Sequence, residues 1–347
     1  MSFIDRFLPG SFDIAMDLGT ANTVVYVRGQ GIVLAEPSVV ALQTIAGIDR
    51  VLAVGDDAKL MMGKTPENIR TIRPLRNGVI SDLEVAEQMI KHFIAKAQGR
   101  RGRLFSTTEI VICAPSGSTT VERRAIRDAA TNAGARRVSL IDEPVAAAIG
   151  AELPVTSPIG TMVVDIGGGT TEVGVISIGG LHLATSIRTG GDQMDEAITS
   201  QIRRYHNLMI GESTAERVKK EIGCAYVRED SASISHTIKG RDVARGKPCE
   251  LRVTQEEIAE ALYDPVSQIV AVVRSALEDT APEIAADIVE TGIVLTGGGS
   301  LLADIDTVLA KETGLPVTIA EDPLNCVAMG AGRALEDATF RGVLHSV

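Results

Sequence analysis

Apolar and polar positions along the chain follow two periods. Phe12-Asp-Ile-Ala-Met-Asp-Leu18 and Thr23-Val-Val-Tyr-Val27 are short apolar runs on either side of Gly19, Thr20, Ala21 and Asn22, so Phe12 to Arg28 predicts a β-hairpin with a tight turn at Leu18 to Asn22. Thr161 to Ser177 has the same grammar: apolar strand, Asp165, a turn of Gly167, Gly168 and Gly169, the hydroxyls Thr170 and Thr171, apolar strand. A hairpin repeated so far apart marks a duplicated domain rather than a solenoid, whose periods are much shorter. Between the copies, Glu109 to Pro115 predicts a buried strand, and Ser118 to Gly134 a helix with Arg123, Arg124 and Arg127 on its wet face. Arg137 to Pro144 predicts a further strand, followed by the Ala-rich helix Val145 to Leu153. In the second half, Asp287 to Leu295 reads as a strand closing on Thr296-Gly-Gly-Gly-Ser300, and Leu301 to Thr313 as a helix. Strands alternate with helices, so the class is α/β. Segments 36–72 and 187–258 read as insertions returning to their parent lobes, the second holding a charged helix, Ser213 to Gly223.

A length of 347 residues exceeds one ordinary core and favours two lobes with a cleft. Hydrophobic residues make up 45% and charged residues 23%, the balance of a folded chain with little room for long disorder. With no Trp, 3% aromatics and a net charge of −11, neither a stacking platform nor a general phosphate-backbone surface for nucleic acid is expected. Cys113, Cys224, Cys249 and Cys326 show no metal-like spacing and read as reduced, buried small residues of a cytoplasmic protein. No apolar run approaches the roughly 18 residues that span a bilayer, and no cleavable signal pattern is seen, so the chain is expected to stay on the side of its synthesis.

Asp17-Leu-Gly-Thr20 and Asp165-Ile-Gly-Gly-Gly-Thr-Thr171 would each let backbone N–H groups and hydroxyls curl around a phosphate, glycine permitting close approach. Asp17 and Asp165 would then hold a metal through water, because Mg²⁺ keeps several waters. The plain alternative is two ordinary hairpin turns, and equivalent places in a repeat weigh against it. Gly297, Gly298, Gly299 and Ser300 could be a simple loop after a strand or the floor beneath a base and sugar. Glu143 could be a helix-start charge favoured by the dipole, or it could orient a water for attack on a γ-phosphate.

These segments, with Ile141-Asp-Glu-Pro144 and Asn325-Cys-Val-Ala-Met-Gly-Ala-Gly332, resemble in order and spacing the nucleotide-site motifs of the actin, Hsp70 and sugar-kinase superfamily. Glu36-Pro-Ser-Val-Val40, Ile72-Arg-Pro-Leu-Arg-Asn-Gly-Val-Ile80, Pro115-Ser-Gly117, Glu122-Arg-Arg-Ala125, Asn132-Ala-Gly-Ala135 and Gly191-Asp-Gln-Met-Asp-Glu-Ala-Ile198 narrow the resemblance to the MreB family of bacterial actins. It covers nearly the whole chain. The resemblance implies actin-like duplicated lobes, ribonuclease-H-like sheets with helices, in four subdomains around a nucleotide cleft. Subdomain IA takes 1–35, 73–150 and 331–347, IB 36–72, IIA 151–186 and 259–330, and IIB 187–258.

The same resemblance implies ATP or ADP with Mg²⁺, and ATP hydrolysis coupled to assembly and turnover. It further implies membrane-associated, antiparallel double filaments of the chain with itself at the inner face of the cell membrane. Transmembrane and cell-wall elongation proteins would be partners, in maintaining rod shape. Position by position, Asp17 and Asp165 match metal-shell residues, Gly19, Thr20, Ala21, Asn22, Gly167, Gly168, Gly169 and Thr171 the phosphate loops. Glu143 matches the water-positioning residue, with Thr170 close to that water. Glu216 and Lys219 match ribose and base contacts, and Gly297, Gly298, Gly299 and Ser300 the adenine floor. Glu172 stands where eukaryotic actin has a histidine, so that detail does not transfer.

Phe3, Ile4, Phe7 and Leu8 share a helical face at the N-terminus, although Asp5 and Arg6 make its polar face nearly neutral. A membrane-surface helix, a tail and a core-covering strand all fit. Leu104 and Phe105 follow the basic stretch Lys96 to Arg103, a combination suited to anionic lipid, and a similar loop dips into lipid in the family resembled. Val121, among Glu122, Arg123 and Arg124, is the expected filament-pairing residue. Two other activities of the superfamily compete: an Hsp70-type chaperone, disfavoured because no peptide-binding domain is expected before the chain ends at Val347, and a small-molecule kinase.

Overall fold

β1 (Ile14–Leu18) and β2 (Asn22–Val27) form the first expected hairpin, pairing antiparallel with Met16 opposite Val25 and Asp17 opposite Val24. The computed structural model describes residues 12–99, 109–228 and 234–346, in two bodies with separate cores. The first body takes the described residues up to Pro158, Ser177–Leu181 and those from Asn325 onward. β3 (Gly31–Pro37) extends the hairpin. β4 (Val40–Ile45), β5 (Ile48–Val54) and β6 (Ile69–Ile72) then make a small sheet of their own beside α1 (Asp56–Met61). A two-strand ribbon, β7 (Leu75–Arg76) and β8 (Val79–Ile80), turns at Asn77-Gly78.

α2 (Leu83–Gln98) starts at Asp82, whose carboxylate accepts the Val85 N–H at 3.1 Å, and buries Met89, Ile90, Phe93 and Ile94. Truncating the fully buried Phe93 to Ala would cost about 3–5 kcal/mol. β9 (Glu109–Ala114) runs parallel to β1, α3 (Thr120–Asn132) follows with a Thr119–Glu122 capping box, β10 (Arg137–Asp142) lies parallel to β9, and α4 (Glu143–Gly150) leaves its end.

The second body repeats the plan. β11 (Thr161–Ile166) and β12 (Thr171–Ser177) pair with Asp165 opposite Glu172, and β13 (Gly180–Ile187) lies beside β12. α5 (Gly191–His206), β14 (Leu208–Met209), α6 (Glu212–Ile222), β15 (Ser235–Asp242) and β16 (Pro248–Thr254) follow, the three strands forming one small sheet. After α7 (Gln255–Glu278) and α8 (Pro282–Thr291), β17 (Ile293–Thr296) runs parallel to β11. α9 (Ile305–Thr313) then leads to β18 (Val317–Ile319), parallel to β17. The chain ends in the first body with α10 (Cys326–Glu336) and β19 (His345–Ser346), the latter antiparallel to β10.

Strand orders β3-β2-β1-β9-β10 and β13-β12-β11-β17-β18 are the same order twice, with β19 an addition at one edge. The duplication read from the hairpins therefore extends to whole sheets. α4 and α10 pack through small residues: a Cβ on Gly330 would lie 1.8 Å from the Ala146 carbonyl oxygen, and one on Gly150 1.8 Å from that of Cys326. The last nucleotide-site motif, read from 325 to 332, is thus also a helix-packing surface.

Three expectations need correction. Residues 287–291 are helix, not strand: Pro282 occupies the first turn of α8 with Glu283, and the strand begins only after Gly292, whose φ of 72° and N–H to Ile288 O at 2.8 Å end that helix. Arg123 does not sit on the wet face of α3, because its guanidinium turns inward to the Asp142 carboxylate at 2.5 Å. Cys249 is exposed on β16, whereas Cys113, Cys224 and Cys326 are buried, and none of the four forms a disulfide.

Candidate functional site

Ligands of open α/β sheets collect at the carboxyl ends of the parallel strands, and the singled-out side chains lie there in each body. Asp17 is next to last in β1, Asp142 ends β10, and Glu143 opens α4 directly after it. Glu143 thus meets a helix N-terminus, which favours its charge. Asp142 is held by Arg123 and, at 3.2 Å, by His345 Nε2.

The turn 19–22 is closed tightly: a Cβ on Gly19 would stand 2.6 Å from the Asn22 carbonyl oxygen. Ser38 clasps it from outside. Its N–H donates to Ala21 O at 3.0 Å and its Oγ to Gly19 O at 2.6 Å, which leaves the Thr23 hydroxyl to donate to Ser38 Oγ at 2.9 Å. Thr20 is buried, and its Oγ1 accepts the Gly78 N–H at 3.0 Å. Asn22 is exposed at the tip and Ala21 half-buried.

The second loop keeps the same skeleton. Residues 167–170 occupy the register positions of 19–22, and the Gly167 N–H closes onto Thr170 O at 2.9 Å. Behind it, the Gly191 N–H donates to Gly167 O at 3.0 Å and the Asp192 N–H to Gly168 O at 2.7 Å. The two threonines part company here. Thr171 is fully buried and its hydroxyl donates to Thr189 O at 2.7 Å, whereas the Thr170 hydroxyl makes no hydrogen bond among the described residues. Asp165 is buried and accepts the Thr296 hydroxyl at 2.7 Å. Burial lifts its carboxyl to about 6, and the charge of Glu172 adds to the rise against the Thr296 bond. Glu172 itself is fully buried, accepting from Ser186 Oγ.

The third glycine loop lies against this second one. A Cβ on Gly297, at φ 79°, would come within 2.4 Å of Ile166 O and 3.0 Å of Asp165 Oδ1, and one on Gly299 within 2.2 Å of Ile166 Cγ2. Close packing on β11 therefore demands these glycines, whether or not a ligand also meets them. Gly298 opens a short 3₁₀ turn, and buried Ser300 donates to Gly297 O at 2.7 Å. On α6, Lys219 reaches Gly191 O at 2.7 Å, and so meets the same backbone as the second loop, while Glu216 pairs with Lys220 at 2.7 Å.

In the first body the structure brings Asp17, Gly19, Thr20, Ala21, Asn22 and Glu143 to one sheet edge. In the second it gathers Asp165, Gly167 to Thr171, Gly297 to Ser300 and Lys219. Val121 stands apart on the first turn of α3, 78% exposed. Phe3, Ile4, Phe7, Leu8, Leu104 and Phe105 lie outside the described residues. Ser38, Gly78 and Thr296 hold the loops in place without being marked out by their spacing, although each lies inside one of the motifs. A hydroxyl immediately after Pro37 at the end of β3 was the one available signal for Ser38.

Comparisons with known proteins agree with this geometry. The family model described as MreB/Mbl protein matches residues 11–341. The chain is 53% identical to the cell shape-determining protein MreB of Escherichia coli, over 96% of this chain and 95% of that one. It is 51% identical to the protein of the same name from Pasteurella multocida, over the same shares. The crystal structure of MreB5 of Spiroplasma citri bound to AMPPNP superposes with a TM-score of 0.88 at 37% identity, covering 96% of this chain and 98% of that one. The same protein bound to ADP gives 0.87. With its sheets doubled in one strand order and a glycine-closed aspartate hairpin in each, the chain belongs to the MreB/Mbl family of actin-like proteins.

Proposed function

We propose that this chain is a cell shape-determining cytoskeletal ATPase: it binds ATP through both hairpins, hydrolyses it, and assembles with itself into filaments. The observation that carries the reading is the twice-built loop, Asp17 with Gly19 and Asp165 with Gly167, each at the carboxyl edge of its own sheet. The AMPPNP and ADP bound by the Spiroplasma relative support a nucleotide as ligand, and the names of the Escherichia and Pasteurella relatives support the cellular role. Thr20, Asn22, Gly167, Gly168 and Gly169 would offer donors to phosphates, and Thr170, whose hydroxyl makes no hydrogen bond among the described residues, would meet the attacking water. Gly297 to Ser300 would floor the adenine, with Glu216 and Lys219 at the ribose and base.

Mg²⁺ fits the donor set. Asp165 is a buried carboxylate with the Thr296 hydroxyl as partner, and among the described residues no three His, Cys, Asp or Glu side chains could hold an ion alone. Asp17 and Asp165 would hold such an ion through water. When bound it would neutralise phosphate charge, while Glu143 orients the water. Glu143→Ala is accordingly expected to keep ATP affinity and slow single-turnover hydrolysis on the order of 10²- to 10⁴-fold. Hydrolysis at the parent rate would remove Glu143 from the mechanism. A phosphorylated product from a sugar panel, without ATP-dependent light scattering, would favour a kinase instead.

The four-subdomain division, with 36–72 as IB and 187–258 as IIB, belongs to the same proposal. So does antiparallel filament pairing through Val121, for which doublets persisting in micrographs of Val121→Glu would count against that surface. Attachment to the inner face of the cell membrane is proposed to rest jointly on Phe3, Ile4, Phe7 and Leu8 and on Leu104 and Phe105, beside the elongation proteins as partners. One buried apolar side chain contributes roughly 1.5 to 3 kcal/mol at most, so firm binding would need the many copies in a filament. No helix among the described residues is long and apolar enough to cross a membrane. Co-sedimentation with anionic vesicles of a variant lacking both patches tests this; undiminished pelleting contradicts it.

A further inference from the structure

Asp195 has no part in the reading above, yet it is one of the few buried carboxylates in the second body. It lies one turn after Gly191 on the same face of α5. Lys219 reaches across from α6, and its ammonium bridges the two, 2.7 Å from Gly191 O and 2.9 Å from Asp195 Oδ1. The second contact is an ion pair within hydrogen-bonding distance, between two side chains that are both largely buried. Gly191 and the residues flanking it are fastened to the second glycine loop. Beyond the Gly191 and Asp192 bonds to Gly167 and Gly168, a Cβ on Gly190 would stand 2.5 Å from Gly167 O.

We propose that Asp195 is a positioning residue of the nucleotide site, holding the Lys219 ammonium against Gly191 so that α6 is set against the second glycine loop. The inference rests on the nucleotide reading above. A lysine side chain has a flexible four-carbon stem, and a single carbonyl does not fix its direction; two acceptors one helical turn apart do. Lys219 is also the cation that offsets the burial of Asp195, whose other charged neighbours, Glu216 on α6 and Asp192 on α5, both oppose its ionisation. Glu216 sits one turn before Lys219 on α6, so fixing Lys219 also fixes the helix that carries Glu216.

The alternative is that the pair merely ties α5 to α6. A double-mutant cycle on the full-length protein separates the two, using a fluorescent ADP analogue with Mg²⁺ for affinity and thermal unfolding without nucleotide for stability. Asp195→Asn is expected to weaken binding about tenfold in the parent and less than about twofold in a Lys219→Met background, because the effect passes through the ammonium. Asp195→Glu, which keeps the charge, should recover part of the affinity. Equal weakening in both backgrounds, or an unfolding midpoint that falls with no loss of affinity, overturns the positioning role. If the parent protein itself binds no nucleotide, the nucleotide reading fails and this one with it; a parent that binds and an Asp195→Asn variant that binds equally well defeat this inference alone.

Discussion

The two hairpins share a skeleton and differ in what surrounds it. In the first, Asp17 is half-buried and faces Val24 across the ladder, and the turn is clasped from outside by Ser38 and Gly78. In the second, Asp165 is buried and faces Glu172, and the loop is backed by glycine backbone at 190–191. The first is a tightly closed turn with a water-accessible acid. The second, closed by the Gly167 N–H to Thr170 O, surrounds an acid that its surroundings disfavour in the charged form. Duplication thus preserved the backbone and let the electrostatics diverge, leaving the costly carboxylate at one of the two sites, where a cation would repay its burial.

The largest expected effect concerns the turns themselves. A Cβ on Gly19 would meet backbone oxygen at 2.6 Å, one on Gly167 at 3.3 Å, so Gly19→Ala must move main chain where Gly167→Ala needs a shift of only a few tenths of an ångström. Gly19→Ala is expected to cost about 2–4 kcal/mol in denaturant unfolding and Gly167→Ala no more than about 1. Equal losses would mean that the turns are not closed differently.

Next come the acids. Because the folded-state value of Asp165 is raised, from an ordinary 3.8 to about 6, its contribution to stability is full below about pH 4 and lost as pH rises through 6. Asp165→Asn should therefore stabilise the nucleotide-free protein at pH 7, by roughly 3 kcal/mol at most, with the gain vanishing toward pH 4. Destabilisation by Asp165→Asn at pH 7 would show that the buried carboxylate is already compensated within the protein.

The smallest effect sharpens the contrast from the first side. Ser38→Ala removes the hydroxyl that donates to Gly19 O and accepts from Thr23, and should cost about 1–2 kcal/mol in unfolding. Among the described residues the second hairpin has no corresponding serine clasp, so nucleotide-free unfolding of the second body, followed by hydrogen exchange at Val163 and Val164, should not respond. A matching response there would argue against independent cores.

Much of this was legible in the sequence. Alternating apolar runs ending in Asp and Gly gave both hairpins and their equivalence, and the alternation of strands with helices gave the class. The strand placed at 287–295 failed because Ile288 and Val289 look the same in a strand and in a helix; the signals that decide are Pro282 before them and Gly292 after. Ser38 and Gly78 could not be foreseen by spacing. They reach the first turn only because the chain after β3 folds back over the tip and the β7–β8 ribbon arrives from a distant segment. Glu216 and Lys219 entered through resemblance alone, since on its own their helix reads as a solvated face. Asp195 lies within the motif at 191–198, but its meaning is in a contact between two helices, which spacing along the chain does not show.

The central claim, that the second hairpin holds the acid that needs a cation, is tested most directly by nucleotide affinity measured with and without Mg²⁺ for the parent, Asp17→Asn and Asp165→Asn. The account predicts that Asp165→Asn abolishes most of the Mg²⁺-dependent gain in affinity while leaving metal-free affinity near the parent value, and that Asp17→Asn reduces the gain less. An equal loss of affinity in both metal conditions for Asp165→Asn, or a larger loss of the Mg²⁺-dependent gain in Asp17→Asn, would contradict it.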